Sequence, residues 1–280
     1  MVEASDEVAH GPCALPAAPL GETAGMPSWV LAQTWKHMLF AHWQVDPALL
    51  RRHVPPELEL DLFEGTAWVG VLPFEMADVH LRLLPPLPGT GRFLETNVRT
   101  YVRHQGRPGI WFFSLEATSR QAVEVARTVV RLPYRHAAGV LHVRRDGCRY
   151  LIRRSERGYP PARLWADYRG LGPLSPSAPG TIEEFLTERY RLFVVPRPGV
   201  VRRTEIEHPP WQVAAAAAEV HQDGLIPPDL ATGRAPDLLH VGETRRVLTW
   251  PPVRRLRWFG ELPTTDRRLH RWRPSAGQPR

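Results

Sequence analysis

The sequence predicts an α+β protein, mostly antiparallel β with a few short helices, in one domain over residues 29–258. Three observations predict it. Runs with period-two alternation recur along the chain, as in "ETNVRTYVR" at 95–103, and successive strand side chains point to opposite faces of a sheet. Turn signals such as Glu64-Gly65 and Asp146-Gly147 separate those runs, and six Pro-Pro pairs fall too unevenly for a repeat architecture. Helical periodicity is confined to three brief stretches.

Taken in order, residues 1–28 are rich in Ala, Pro and Gly, lack periodicity, and are expected to be disordered. "TWKHMLFAHWQV" reads as a strand, and "DPALLRRHV" as a short helix with Asp46 as N-cap and Pro47 at its first position. "LELDLF", Glu64-Gly65 and "TAWVGVLPFEM" read as a hairpin, and "LRLLPPLPGTGR" as a proline-rich loop. The strand at 95–103 follows, then the turn "HQGRPG" and "IWFFSLEA", apolar enough to be buried on both faces. Thr118 or Ser119 caps "RQAVEVARTVVR", whose Ala122, Val123, Ala126, Val129 and Val130 form one stripe, and Pro133 stops it. Strands near 138–145 and 148–154 flank Asp146-Gly147. A loop is expected over 156–179, then a helix in "TIEEFLTERY" capped by Thr181, then short strands with turns at "RPG" and "HPPW".

Composition narrows the function classes. The net charge of +7 resembles a nucleic-acid binder's until it is located: ten arginines lie at 245–280 against Glu261 and Asp266, so that stretch alone carries +8 and the rest is close to neutral. No recognition surface for nucleic acid is indicated across the fold, and residues 259–280 read as a basic, disordered tail. Cys13 and Cys148 do not make a disulfide framework. No Lys or Arg precedes Lys36, and no apolar run has membrane-spanning length, so a soluble, cytoplasmic protein without a membrane partner is expected. Lys36 is the single lysine among 36 basic residues, so an amine nucleophile has one candidate.

The chemistry concentrates on two strands. If Tyr101 faces Phe112 across the turn "HQGRPG", then Arg99 faces Ser114, Asn97 faces Glu116 and Glu95 faces Thr118. Glu95, Asn97, Arg99, Ser114 and Glu116 then share one surface, with Arg99 in reach of both carboxylates. Such a set is either a structural ion-pair ladder, wet or buried, or an acid/base pair with an anion clamp in a cavity. Glu116 and Ser114 lie in an aromatic strand, where an unpaired charge is expensive, which weighs toward the cavity. His37 and His42 have opposite strand parity and make no metal pair, and no HExxH, CxxC, P-loop or G-x-S-x-G elbow occurs. No metal and no cofactor is implied.

"HMLFAHWQVDPALLRRHVPPELELDLFEGTAWVGVLPFEM", "FLETNVRTYVR", "GIWFFSLEATSRQAVEVAR", "LPYRHA", "FLTERYRLF" and "HPPW", in that order, resemble the YqjF-like family of uncharacterised bacterial proteins. The similarity spans about residues 30–255. The resemblance places the chain in the acetoacetate-decarboxylase-like superfamily and implies a cone-like or barrel-like sheet around an internal polar cavity, with Glu95, Asn97 and Arg99 facing inward. The superfamily's decarboxylases use a Schiff-base lysine in a Pro-Lys-Lys stretch after a helix. The corresponding stretch here is "LPYRHA", with Tyr134 and Arg135 in place of lysines, and neither supplies an amine nucleophile. Imine-forming decarboxylation is therefore disfavoured.

The sequence thus points to a protein that binds or transforms a small organic acid or carbonyl compound by acid/base chemistry, of a lyase or isomerase kind if it is an enzyme. Glu95 and Glu116 would move protons and Arg99 would hold the acid, with Asn97 and Ser114 on the same surface. Tyr134, Arg135 and His136 would close one wall. A non-enzymatic sensor or carrier is the alternative, and a homo-oligomer is compatible with either.

Overall fold

The structure, a computed structural model, describes residues 28–83, 91–230 and 233–254. The expected disordered segment (apart from Ser28), the basic tail and most of the proline-rich loop lie outside the described residues. The chain runs through β1 (Leu31–Lys36), β2 (Met38–Val45), α1 (Pro47–Arg51), β3 (Glu59–Leu60), β4 (Ala67–Leu81), β5 (Arg92–His104) and β6 (Arg107–Ala117). After α2 (Arg120–Val125) come β7 (Tyr134–Arg144), β8 (Gly147–Arg154), β9 (Arg163–Gly170), β10 (Ser175–Pro176) and α3 (Ile182–Thr187). The last strands are β11 (Arg191–Arg197), β12 (Val200–Glu207), β13 (Gln212–Asp223), β14 (Leu238–Gly242), β15 (Arg245–Thr249) and β16 (Val253–Arg254).

All these strands join in one hydrogen-bonded sheet, and two extra pairings, β1 with β4 and β5 with β6, close it into two circuits. One circuit runs β4–β1–β15–β12–β11–β6–β5, the other β4–β2–β14–β13–β9–β8–β7–β6–β5. β4, β5 and β6 are common to both. A wall shared by two circuits has no wet side, and β4 and β5 are accordingly buried almost without interruption, residue by residue. One side of the wall packs on Val69, Val71, Val98, Val102, Tyr150 and Ile152, the other on Trp68, Tyr101, Phe112 and Leu115. Most neighbours are antiparallel; β6 pairs in parallel with β7 and with β11.

Local signals act as expected at several points. Asp46 Oδ1 accepts from Ala48 N at 2.7 Å and Pro47 opens α1. Ser119 caps α2, and Thr118 instead accepts from Leu94 N. Four expectations need correction. The first strand breaks at His37, whose φ of 55° separates β1 from β2. "RQAVEVARTVVR" is α-helical only to Val125 and widens to a π turn over Ala126–Val130, ending at Arg131 with φ 61°. Glu64 and Gly65 do make a tight turn, with φ 48° and 80°, but β3 pairs with β5 rather than β4. The loop expected at 156–179 contains β9, whose Leu164, Ala166 and Tyr168 are buried in alternation.

Candidate functional site

β5 presents two rows of side chains, Glu95–Asn97–Arg99–Tyr101 and Thr96–Val98–Thr100–Val102. The polar row is enclosed: Glu95 is 2%, Asn97 6% and Arg99 6% exposed. Pairing with β4 sets Phe74 beside Glu95, Leu72 beside Asn97 and Gly70 beside Arg99, and His42 of β2 continues the row of Gly70 and Arg99. Across β6, Leu115 and then Tyr134 of β7 continue the row of Asn97.

The expected register between β5 and β6 is not the one formed. A bulge between Val98 and Arg99 places Ser114 opposite Val98 and Glu116 opposite Thr96. Tyr101 faces Ile110, and Arg99 faces Phe112. An extra residue in one strand changes which side every later side chain takes. Glu116 and Ser114 therefore leave the surface that holds Glu95, and the two carboxylates do not meet. Glu116 instead takes both oxygens to Arg154, at 2.6 Å to Nη2 and 3.1 Å to Nε, with both side chains inside the fold.

Glu95 has no such partner. Among the described residues its carboxyl bonds to the Tyr134 hydroxyl, which donates to Oε2 at 3.0 Å. Burial pushes the Glu95 carboxyl up to about 8, and the Tyr134 hydrogen bond opposes this only in part. Burial and the nearby carboxyl hold Tyr134 itself well above the usual phenol range, so it stays a donor. Arg127, at the π turn, fixes this stretch by donating from Nε and Nη2 to the Tyr134 carbonyl at 2.8 and 2.7 Å.

Arg99 lies four residues from Glu95, about 13 Å along an extended strand. Its Nη2 donates to the Leu186 carbonyl of α3 at 2.8 Å, and Tyr101 donates to the same oxygen at 3.0 Å. The Arg99 Nε and the Asn97 Oδ1 are buried with no hydrogen-bond partner among the described residues. Buried polar atoms are nearly always satisfied in folded proteins, and these two unmet atoms lie on one surface.

Of the remaining candidates, Tyr134 joins Glu95, Arg135 turns away, and His136 continues the row of Glu95 through Ala117 but bonds elsewhere. Arg135 is the register partner of Glu116, donates to the Tyr134 carbonyl at 2.8 Å and stacks 3.8 Å over Tyr159. His136 Nδ1 is 2.8 Å from the Ser155 hydroxyl. Lys36 is the register partner of Glu75, on the side of β4 opposite Phe74 and Glu95. Sequence reasoning set His42 aside with the metal question, yet its ring is fully buried and 2.7 Å from the Tyr101 hydroxyl. His42 shares strand parity with Phe40, which the sequence did show; that this parity faces Arg99 comes from the pairing of β2 with β4.

Comparison with known proteins fixes the family. Residues 32–244 match the family described as an uncharacterized conserved protein, DUF2071. Over 224 residues, 80% of this chain and 91% of the relative, the sequence is 39% identical to the uncharacterized protein YqjF of Bacillus subtilis (strain 168). The chain belongs to the DUF2071 family. Solved structures share the fold at low identity. An acetoacetate decarboxylase from Legionella pneumophila superposes with a TM-score of 0.55 at 18% identity, covering 84% of this chain and 90% of that one. An acetoacetate decarboxylase-like enzyme from Sphingomonas wittichii RW1 gives 0.53 at 15%, over 84% and 98%. The enduracididine biosynthesis enzyme MppR, complexed with pyruvate, gives 0.50 at 18%, over 86% and 95%. The acetoacetate-decarboxylase-like fold expected of this DUF2071 chain is the fold it has. Among the described residues no helix is long and apolar enough to cross a membrane.

Proposed function

We propose that this DUF2071 protein binds a small organic acid or carbonyl compound on the Glu95–Asn97–Arg99 surface and moves a proton on it, without an imine-forming lysine. Arg99 holds the acid group through Nε, which has no protein partner among the described residues. Asn97, midway along the row, orients the ligand. Glu95 is the general acid/base, poised near neutral pH by burial, with the Tyr134 hydroxyl holding its orientation. Glu116 takes no part in proton transfer in this reading, because Arg154 occupies both its oxygens.

The observation that carries the reading is a buried carboxyl with one neutral partner. Folding would not select such a group for stability, and perturbed, unpaired carboxyls concentrate where chemistry is done. The pyruvate bound to MppR is a precedent for an organic acid within this fold. With Tyr134 and Arg135 in the stretch after the helix and Lys36 on the opposite side of β4, an amine nucleophile has no seat beside Glu95.

Proton transfer is tested by following deuterium incorporation into 2-oxobutyrate and 3-oxobutyrate in D2O by NMR. The wild type should exchange the protons next to the carbonyl faster than buffer, with a rate that rises as pH passes through about 8, where Glu95 becomes the base. Glu95→Gln should keep affinity and lose roughly 10²–10⁴ in rate. Binding without exchange would make the protein a carrier or sensor. No binding of either acid would end the reading.

A further inference from the structure

Two imidazoles stand at the Arg99 end of the surface, and neither has been given a role. His42 lies in the row of Gly70 and Arg99. His240, on β14, is the register partner of Phe40, two residues along β2 on the same side as His42. Both rings are buried, His42 completely. Each uses one nitrogen: His42 Nε2 lies 2.7 Å from the Tyr101 hydroxyl, and His240 Nε2 lies 3.7 Å from Glu183 Oε1. The other nitrogen, Nδ1, is in both rings buried and without a partner among the described residues.

The backbone is arranged to hold His42 there. Gly70 stands between His42 and Arg99, and a Cβ at that position would come within 3.0 Å of the imidazole and 2.9 Å of Leu72 Cδ1. The absence of a side chain leaves the ring room beside the Tyr101 hydroxyl, which is also 3.5 Å from Arg99 Nη2. Tyr101 is itself backed by Arg189, 5.0 Å over its ring and paired to Asp61 at 2.5 Å. The imidazole is thus placed by a chain of fixed contacts.

We propose that His42 and His240 read a second, uncharged hydrogen-bonding group of the ligand, a hydroxyl close to the acid that Arg99 holds. This rests on the acid-binding reading above and adds its specificity. Burial keeps both rings neutral, in His42 with the Arg99 charge acting in the same direction and in His240 against the opposing pull of Glu183. The Tyr101 hydroxyl gives its proton to the Leu186 carbonyl and so accepts from His42 Nε2, which leaves a neutral His42 a lone pair at Nδ1; His240, with Nε2 toward the Glu183 carboxylate, is left the same. A lone pair accepts from a hydroxyl and meets neither a carbonyl oxygen nor a second carboxylate. Among the described residues no three His, Cys, Asp or Glu side chains converge as a metal ion requires, so the geometry favours an organic occupant.

Four acids of one chain length separate the possibilities: pentanoate, 2-hydroxypentanoate, 4-hydroxypentanoate and glutarate, titrated calorimetrically into the full-length protein. At least one hydroxy acid should bind about tenfold or more tighter than pentanoate, because an unmet buried partner rejects the analogue that lacks the hydroxyl. Glutarate should bind no tighter than pentanoate. His42→Phe keeps the ring volume beside Phe40 and should shrink the hydroxy acid's margin to roughly twofold while leaving pentanoate unchanged. His42→Gln, which keeps an accepting oxygen, should retain part of it. Should His42→Phe not fold, ¹⁵N-histidine spectra of the wild type decide: the Nδ1 signals lost in His42→Gln and His240→Gln should move with the hydroxy acid and stay still with pentanoate. Equal affinity for hydroxy and plain acids, a margin that survives both His42→Phe and His240→Phe, or Nδ1 signals that move alike with pentanoate, would overturn the proposal. Failure of all four acids to bind would instead overturn the acid-binding reading beneath it.

Discussion

Glu95 and Glu116 sit on neighbouring strands, and both are buried, yet the molecule treats them differently. Glu116 gives each oxygen to Arg154, so its charge is met by a guanidinium fork with the remaining nitrogen, Nη1, on the Pro160 carbonyl at 2.8 Å. Glu95, on the other side of the shared wall, has a tyrosine hydroxyl. The same contrast separates Thr96 from Asn97, one residue apart. Thr96 donates to the Tyr150 hydroxyl at 3.0 Å, whereas the Asn97 Oδ1 has no partner among the described residues. On one side of the wall the carboxylate and the threonine are finished by the protein, although Ser114 Oγ there is also buried without a partner among the described residues; on the other the carboxyl and the amide oxygen are left unfinished.

Breaking the finished side should have the largest effect. Arg154→Ala strands the Glu116 charge in the interior and should cost about 3–5 kcal/mol in chemical denaturation at pH 7. A loss under about 1 kcal/mol would mean that water reaches Glu116 and that the contrast is weaker than drawn.

Relieving the unfinished side should stabilise the protein. The folded Glu95 carboxyl titrates near 8 against an ordinary value of 4.5. Below about 4.5 it is protonated in both states and exerts no pH effect. As pH rises from about 4.5 to about 8 the unfolded chain releases a proton that the folded chain keeps, so stability is lost across that window and levels off above it. Glu95→Gln removes this dependence, and at pH 7 it should be more stable than the wild type by about 3 kcal/mol at most. Parallel stability curves for the two proteins from pH 5 to 9 would show that Glu95 is already compensated.

The neighbouring pair gives the smallest and most selective comparison. Thr96→Val breaks a made hydrogen bond and should cost about 1 kcal/mol, with the Tyr150 hydroxyl left short of a partner. Asn97→Leu removes a group whose oxygen is already unmet, and should fall within about 0.5 kcal/mol of the wild type or above it. Equal losses at the two positions would dissolve the distinction between the sides.

Much of this was legible in the chain. Alternation in "ETNVRTYVR" identified β5 and divided it correctly into a polar and a β-branched row, both of which the fold buries. The turn at Asp146-Gly147 and the caps at Asp46 and Thr181 follow from local chemistry, which short spacings encode, whereas the cap of α2 stayed open between Thr118 and Ser119 until the fold gave Thr118 to Leu94. Glu116 was assigned to the wrong side because a single bulge at Val98/Arg99 reverses parity, and nothing in "SLEA" announces where an extra residue is absorbed. Its partner was half visible: Cys148, Tyr150 and Ile152 form the buried row of β8, and Arg154 is the next residue of that parity. The alternation of "RLWADYRG" was equally visible, but the surrounding prolines and glycines obscured it. His42 and His240 could not be joined to Arg99 from sequence, since three separate strand pairings bring them to one surface.

The carboxyl of Glu95 itself gives the most direct test. In a ¹³C-carboxyl NMR titration, the resonance that disappears in Glu95→Gln should move with a midpoint near 8. A midpoint near the ordinary 4.5 would contradict the account, because Glu95 would then be a compensated structural charge like its neighbour.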